Sequence, residues 1–152
     1  MEYTQIHLPA IKFVGISVDT SPEKVQIDCP KVWGEFMSQC EKVKNQKDIM
    51  VHLGVSTQVN IETCTMKYAA GSEVIEFTDI PKGMEEIELP ESEYFVFLHK
   101  GKLDTLGNTY GGIMEKIEKL GKKQKDFWIE KYDNRYKANS DDSEFEILVP
   151  II

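Results

Sequence analysis

A chain of 152 residues with 41% hydrophobic and 29% charged residues suits one compact globular domain over 1–152, with no need of disulfides or a structural metal. Its 18 Lys and Arg against 26 Asp and Glu give a formal net charge of −8, a field that repels a phosphate backbone and argues against direct nucleic-acid binding. The opening Met1-Glu2-Tyr3-Thr4-Gln5 lacks the basic start and apolar stretch of a secretory signal, and no later run reaches the length of a membrane span, so a cytoplasmic protein without membrane contact is expected.

In chain order, Ile11 to Val18 reads as the first strand, rich in β-branched and aromatic residues. A helix follows, with Val32, Trp33, Phe36, Met37, Cys40 and Val43 on one face and Lys31, Glu35, Gln39 and Lys42 on the other. Asp28 or Cys29 is its expected cap, which puts Pro30 in the first turn, where a missing N–H costs nothing. His52 to Val59 and Thr63 to Ala69 read as a strand pair, Thr78 to Gly83 as a connector, and Glu85 to Leu89 as a short strand stopped by Pro90.

Tyr94 to His99 opens the second half as a strand. The next helix carries the stripe Leu106, Tyr110, Ile113, Met114, Ile117 and Leu120, with Asp104 placed to cap it and Gly121 suited to its C-terminal turn. Gly107, Gly111 and Gly112 lie inside that helix, each at a cost of about 1 kcal/mol against Ala. They mark either a close backbone approach or a loose first half. The run Lys122-Lys123-Gln124-Lys125 reads as a solvated helix terminus, where cations complement the dipole. Phe127 to Tyr132 and Glu144 to Pro150 complete the set of strands.

The order strand, helix, strand, strand therefore occurs twice, over about residues 1–77 and 84–152. Two such repeats related by a pseudo-two-fold axis make an α+β fold. Their strands join edge to edge in one antiparallel sheet, both helices cover one face, and a central ligand cleft lies between the halves.

The stretch Ile80-Pro81-Lys82-Gly83-Met84-Glu85-Glu86-Ile87-Glu88-Leu89-Pro90, followed by Tyr94-Phe95-Val96-Phe97-Leu98-His99-Lys100-Gly101, is a proline-glycine turn, a short strand and a Y-x-V-F-x-H-x-G strand leading into a helix. Leu103, Asp104, Leu106, Thr109 and Tyr110 continue the pattern, and Phe127-Trp128-Ile129-Glu130-Lys131-Tyr132 and Phe145 to Ile151 end it. Leu53-Gly54-Val55 and Tyr68 to Val74 correspond in the first half. This series resembles the GyrI-like, or bacterial effector-binding, domains, although the spacing before Glu130 departs from the family's F-E-x-Y segment. The resemblance implies two strand-helix-strand-strand units and a pocket for hydrophobic, often cationic, organic compounds. It also implies a kinship with multidrug-responsive transcription regulators. Nothing before Ile6 suits a helix-turn-helix, so a stand-alone module is expected, with a separate regulator or gyrase as the candidate protein partner.

Read as a strand, residues 127–132 place Trp128, Glu130 and Tyr132 on one face, a carboxylate between two large aromatics. Such a trio suits a cation, because ring faces add attraction of about 2 kcal/mol or more each when water is excluded. The alternative is a solvated strand glutamate with two rings packed over a sheet edge. The family's glutamate at the matching position is a buried ligand-recognition residue, and the resemblance assigns that role to Glu130. Trp33, Phe36 and Met37 on the first helix, Tyr68, Phe97, His99 and Tyr110 are the further candidates for the lining. An apolar stripe at helical spacing is core by default, which puts Phe36 and Met37 there ahead of the cavity, while Trp33 suits either core or cavity.

Cys29, Cys40 and Cys64 cannot all pair and show no CxxC spacing, so reduced, mostly buried thiols are expected. His7, His52 and His99 are too scattered for a metal set, and no glycine-rich phosphate loop or nucleophile elbow occurs. No cofactor or metal is expected. The function expected is binding or sequestration of amphipathic cations. A hydrolase of strained-ring compounds that uses Glu130 as its acid or base is the alternative, and a gyrase-inhibitor role the third reading.

Overall fold

The computed structural model describes residues 1–152. Its strands are β1 (Thr4–Leu8), β2 (Ile11–Thr20), β3 (His52–Asn60), β4 (Thr65–Val74), β5 (Glu85–Leu89), β6 (Ser92–Lys100), β7 (Trp128–Tyr132) and β8 (Glu144–Ile151). The helices are α1 (Val25–Met37) and α2 (Leu106–Lys119). The strands form one eight-stranded sheet in the order β1-β6-β8-β7-β3-β4-β2-β5, and every pairing is antiparallel.

Read outward from its centre, the sheet runs β3-β4-β2-β5 on one side and β7-β8-β6-β1 on the other. The unit β2-α1-β3-β4 is thus matched by β6-α2-β7-β8, related by a pseudo-two-fold at the β3–β7 ladder. Each outermost strand lies against the half that follows or precedes it in the chain: β1 pairs with β6, and β5 pairs with β2. The halves are interlocked by this exchange, so β5 belongs in space to the first half, though the chain places it beside the second. Strand β1 was not expected from the sequence. Its Thr-Gln-Ile-His-Leu residues are mostly exposed, and an edge strand that buries little carries no alternating pattern.

Register shows that both helices cover the same face. Gly54 lies opposite Ala70 on one side and Glu130 on the other, and Glu130 lies opposite Ile147. Ala70 packs with Val32 and Phe36 of α1, while Ile147 packs with Ile113 and Ile117 of α2. The opposite face is also buried. Ile11, Phe13, Leu53, Val55, Ala69, Leu89, Tyr94, Ile129 and Leu148 pack into one cluster there, contributed by strands from both halves. Burial of apolar surface on two faces, at about 25 cal/mol per Å², is the main source of stability.

The first helix differs from its expected bounds. It begins at Val25, because Ser21 and Pro22 form the turn that starts it: the Ser21 carbonyl accepts from Lys24 N at 3.0 Å and Val25 N at 2.8 Å. Pro30 is therefore inside the helix, not in its first turn, and the Gln26 carbonyl loses its usual partner on an exposed side. The helix stops at Met37, where the Ser38 hydroxyl returns to the Glu35 carbonyl at 2.8 Å. A 3-10 turn over Cys40–Lys42 then continues the stripe as far as buried Val43.

Helix α2 is preceded by a 3-10 turn over Leu103–Thr105, and no side chain caps it, Asp104 included. It ends as expected at Gly121, whose φ of +67° is the left-handed conformation that closes a helix. Gly121 N donates to the Glu118 carbonyl at 2.9 Å and Lys122 N to the Ile117 carbonyl at 3.1 Å. A Cβ on Gly107 or Gly111 would meet nothing within 4 Å, which removes close packing as their reason. Replacing either with Ala is expected to stabilise the protein by about 0.5–1 kcal/mol, read as a higher midpoint in thermal unfolding. No helix is long and apolar enough to cross a membrane.

Candidate functional site

Glu130 occupies the centre of the helix-covered face, in the middle of the β3–β7 ladder. Strand alternation sends Ile129 to the opposite cluster and turns Trp128, Glu130 and Tyr132 toward the helices. The carboxylate is buried at 6% exposure. Three phenols donate to it. Tyr68 of β4 reaches Oε1 at 2.7 Å, Tyr132 reaches the same oxygen at 3.0 Å, and Tyr110 of α2 donates a short bond to Oε2. Trp33 of α1 donates from Nε1 to the Tyr68 hydroxyl at 2.8 Å, so both helices and both halves are tied to one carboxylate.

The phenols hold their protons. Burial, then the Glu130 charge, pushes Tyr68, Tyr110 and Tyr132 well above the usual tyrosine value. They act as donors across the physiological range. No Lys, Arg or His balances the charge, since every ion pair of the protein lies elsewhere. A buried carboxylate held only by neutral donors keeps a negative potential in a low-dielectric setting.

Aromatic rings enclose it. Trp33 meets Tyr132 edge-on with centroids 5.2 Å apart, Tyr110 and Trp128 lie 5.0 Å apart, and Tyr132 stacks on Phe145 at 4.5 Å. Trp33, Tyr110 and Tyr132 are half-buried and form the outer wall. The Trp128 indole N–H is buried without an acceptor. A surface groove of about 600 Å³ lies apart from this constellation, lined by residues that include Tyr3, Phe97, Lys116 and Arg135.

Of the residues singled out in the sequence, the structure gathers Glu130, Trp128, Tyr132, Tyr68, Tyr110 and Trp33. Four others do not join them. Phe36 is fully buried in the core under α1, edge-on to His52 at 6.0 Å. Met37 is 46% exposed, because it falls a quarter-turn beyond the helix's buried stripe. Phe97 is buried beneath Tyr3 in the core under α2. His99 donates from Nε2 to the Lys102 carbonyl at 2.9 Å and bonds the Thr109 hydroxyl through Nδ1 at 2.7 Å, which pins β6 to the start of α2.

Two neighbours of the site were not singled out. Cys29 lies one turn before Trp33 on α1, and its thiol is pushed up to about 12 by burial, then by the Glu130 and Asp28 charges. It is a thiol, not a nucleophilic thiolate, near neutrality. Its i, i+4 relation to Trp33 was the available signal. None of the three thiols is fully buried, contrary to expectation: Cys29 and Cys40 are half-buried, and Cys64 is exposed because it sits in the turn between β3 and β4. The second neighbour is Gly54, directly opposite Glu130. A glycine inside a strand marks a close approach.

The interlocked β-α-β-β halves make this chain a GyrI-like effector-binding domain, as the sequence resemblance implied. Residues 6–151 match the family model Cass2, integron-associated effector binding protein, and the chain belongs to that family. It is 28% identical over 150 residues to the transcriptional regulator BrlR of Pseudomonas aeruginosa PAO1, an alignment covering 96% of this chain and 54% of BrlR. The chain thus spans about half the length of that relative. SAV2435 bound to tetraphenylphosphonium has the same fold, with a TM-score of 0.79, 21% identity, and coverage of 100% of this chain and 94% of that one. The integron cassette protein VCH_CASS2 of Vibrio cholerae superposes with a TM-score of 0.70 at 12% identity, covering 99% and 95%.

Proposed function

We propose that this chain binds amphipathic organic cations, with the positive charge placed against Glu130 and the apolar groups among Trp33, Tyr68, Tyr110, Tyr132 and Trp128. One observation carries the reading: Glu130 is a buried carboxylate with three phenol donors and no cationic partner. A buried charge is costly without a counter-ion, and a cationic ligand supplies the missing one. Ring faces add quadrupole attraction to a cation that brings apolar substituents. SAV2435, which shares the fold, was solved with a compound of that chemistry. BrlR is a transcriptional regulator, and by that likeness the bound state of this chain would be passed to a DNA-binding partner or segment.

Tetraphenylphosphonium titration followed by thermal unfolding tests the proposal. At a hundred times its dissociation constant the ligand is expected to add about 2.7 kcal/mol of stability. Trp33 emission should change with it, since Trp33 is bonded to Tyr68 at the carboxylate. An unshifted midpoint at millimolar ligand would contradict the reading. Chemical consumption of a strained-ring electrophile offered in place of the cation would favour the hydrolase alternative.

A further inference from the structure

The central pair of the β3–β7 ladder joins Gly54 to Glu130. The pseudo-two-fold makes these equivalent positions, one carrying a carboxylate and the other no side chain. A Cβ built on Gly54 would overlap the Tyr68 hydroxyl, lie 2.8 Å from Glu130 Oε1 and 3.0 Å from Tyr68 Cζ. Backbone conformation does not demand glycine here, because Gly54 is not among the residues with positive φ. The demand is for space alone.

The obstacles distinguish Gly54 from the other close-packed strand glycines. A Cβ on Gly15 would run into the Ala70 carbonyl, and one on Gly71 into the Val14 carbonyl, so the main chain of a neighbouring strand excludes side chains at both. At Gly54 the three nearest atoms all belong to Tyr68 and Glu130 side chains. Any side chain there displaces the Tyr68 hydroxyl. Oε1 would keep only the Tyr132 donor, and the Trp33 N–H would lose its acceptor.

We infer that Gly54 is a specificity-determining positioning residue: its missing side chain is the space in which the Tyr68 hydroxyl and the Glu130 carboxylate meet, and it thereby sets the preference for cationic over neutral ligands. The inference rests on the reading of Glu130 as the cation-recognising group. It also explains why a site on a pseudo-two-fold axis holds one carboxylate and not two. A side chain from each half would fill the same space.

Calorimetric titration with tetraphenylphosphonium and with neutral triphenylphosphine oxide tests it, using the full chain. In Gly54→Ala the ratio of cation to neutral affinity should fall about ten- to a hundredfold, the effect of removing one charge-assisted hydrogen bond. Tyr68→Phe alone should lower the ratio by a similar factor, and adding Gly54→Ala to it should cost little more, because the two changes remove the same contact. An unchanged ratio in Gly54→Ala, or full additivity, would overturn the inference while leaving the reading of Glu130 intact. A wild-type protein without preference for the cation would overturn both. If Gly54→Ala does not fold, Tyr68→Phe in the same chain should restore folding by removing the hydroxyl that the new methyl group meets. Failure of that rescue would reduce Gly54 to a packing residue.

Discussion

Glu130→Gln is expected to weaken binding of tetraphenylphosphonium by about 2–5 kcal/mol, the usual cost of removing one member of a desolvated charge pair. Neutral aromatic compounds should bind almost as before. The substitution isolates charge because the hydrogen bonds can be kept. The glutamine oxygen can still accept from Tyr68 and Tyr132, and its NH2 group can donate to the Tyr110 hydroxyl oxygen once that phenol turns. The variant should therefore fold, and titration at low and high salt measures the difference. Equal affinity of the two proteins for the cation would remove Glu130 from recognition.

Phe145→Ala is expected to destabilise the fold by about 3–5 kcal/mol, measured as a lower denaturant midpoint at unchanged slope. Phe145 is fully buried, stacked against Tyr132 at 4.5 Å and tilted against His99 at 5.1 Å. Its loss leaves a cavity under the ring that presents a hydroxyl to Glu130. Cation affinity should fall along with stability, although Phe145 makes no bond to the carboxylate. A stability loss under 1 kcal/mol would mean that the neighbouring rings collapse into the space.

The repeat order was legible in the sequence because seven of the eight strands bury at least one face and so carry β-branched and aromatic residues between turns. Strand β1 escaped, since an exposed edge needs no apolar face. The position of Pro30 suggests too late a start for α1. A proline near a capping residue looks like a first turn, and Ser21-Pro22 was the true start. For the site, period-two alternation was enough to put Trp128, Glu130 and Tyr132 on one face. The convergence of Tyr68, Tyr110 and Tyr132 on a single carboxylate was not legible. Those phenols come from β4, α2 and β7, and only tertiary packing decides that three hydroxyls meet two oxygens. His99 and Phe97 share a strand face with no such convergence, and local pattern does not separate the two cases.

The buried carboxylate of Glu130 as the recognition point for a cation is tested most directly by a crystal structure with tetraphenylphosphonium at saturating concentration. The phosphonium is expected against Glu130, its phenyl groups among Trp33, Tyr110 and Tyr132, with the Trp33–Tyr68 hydrogen bond rearranged to admit it. A cation seated instead in the groove beside Tyr3, Lys116 and Arg135, with the Glu130 network unchanged, would contradict that assignment.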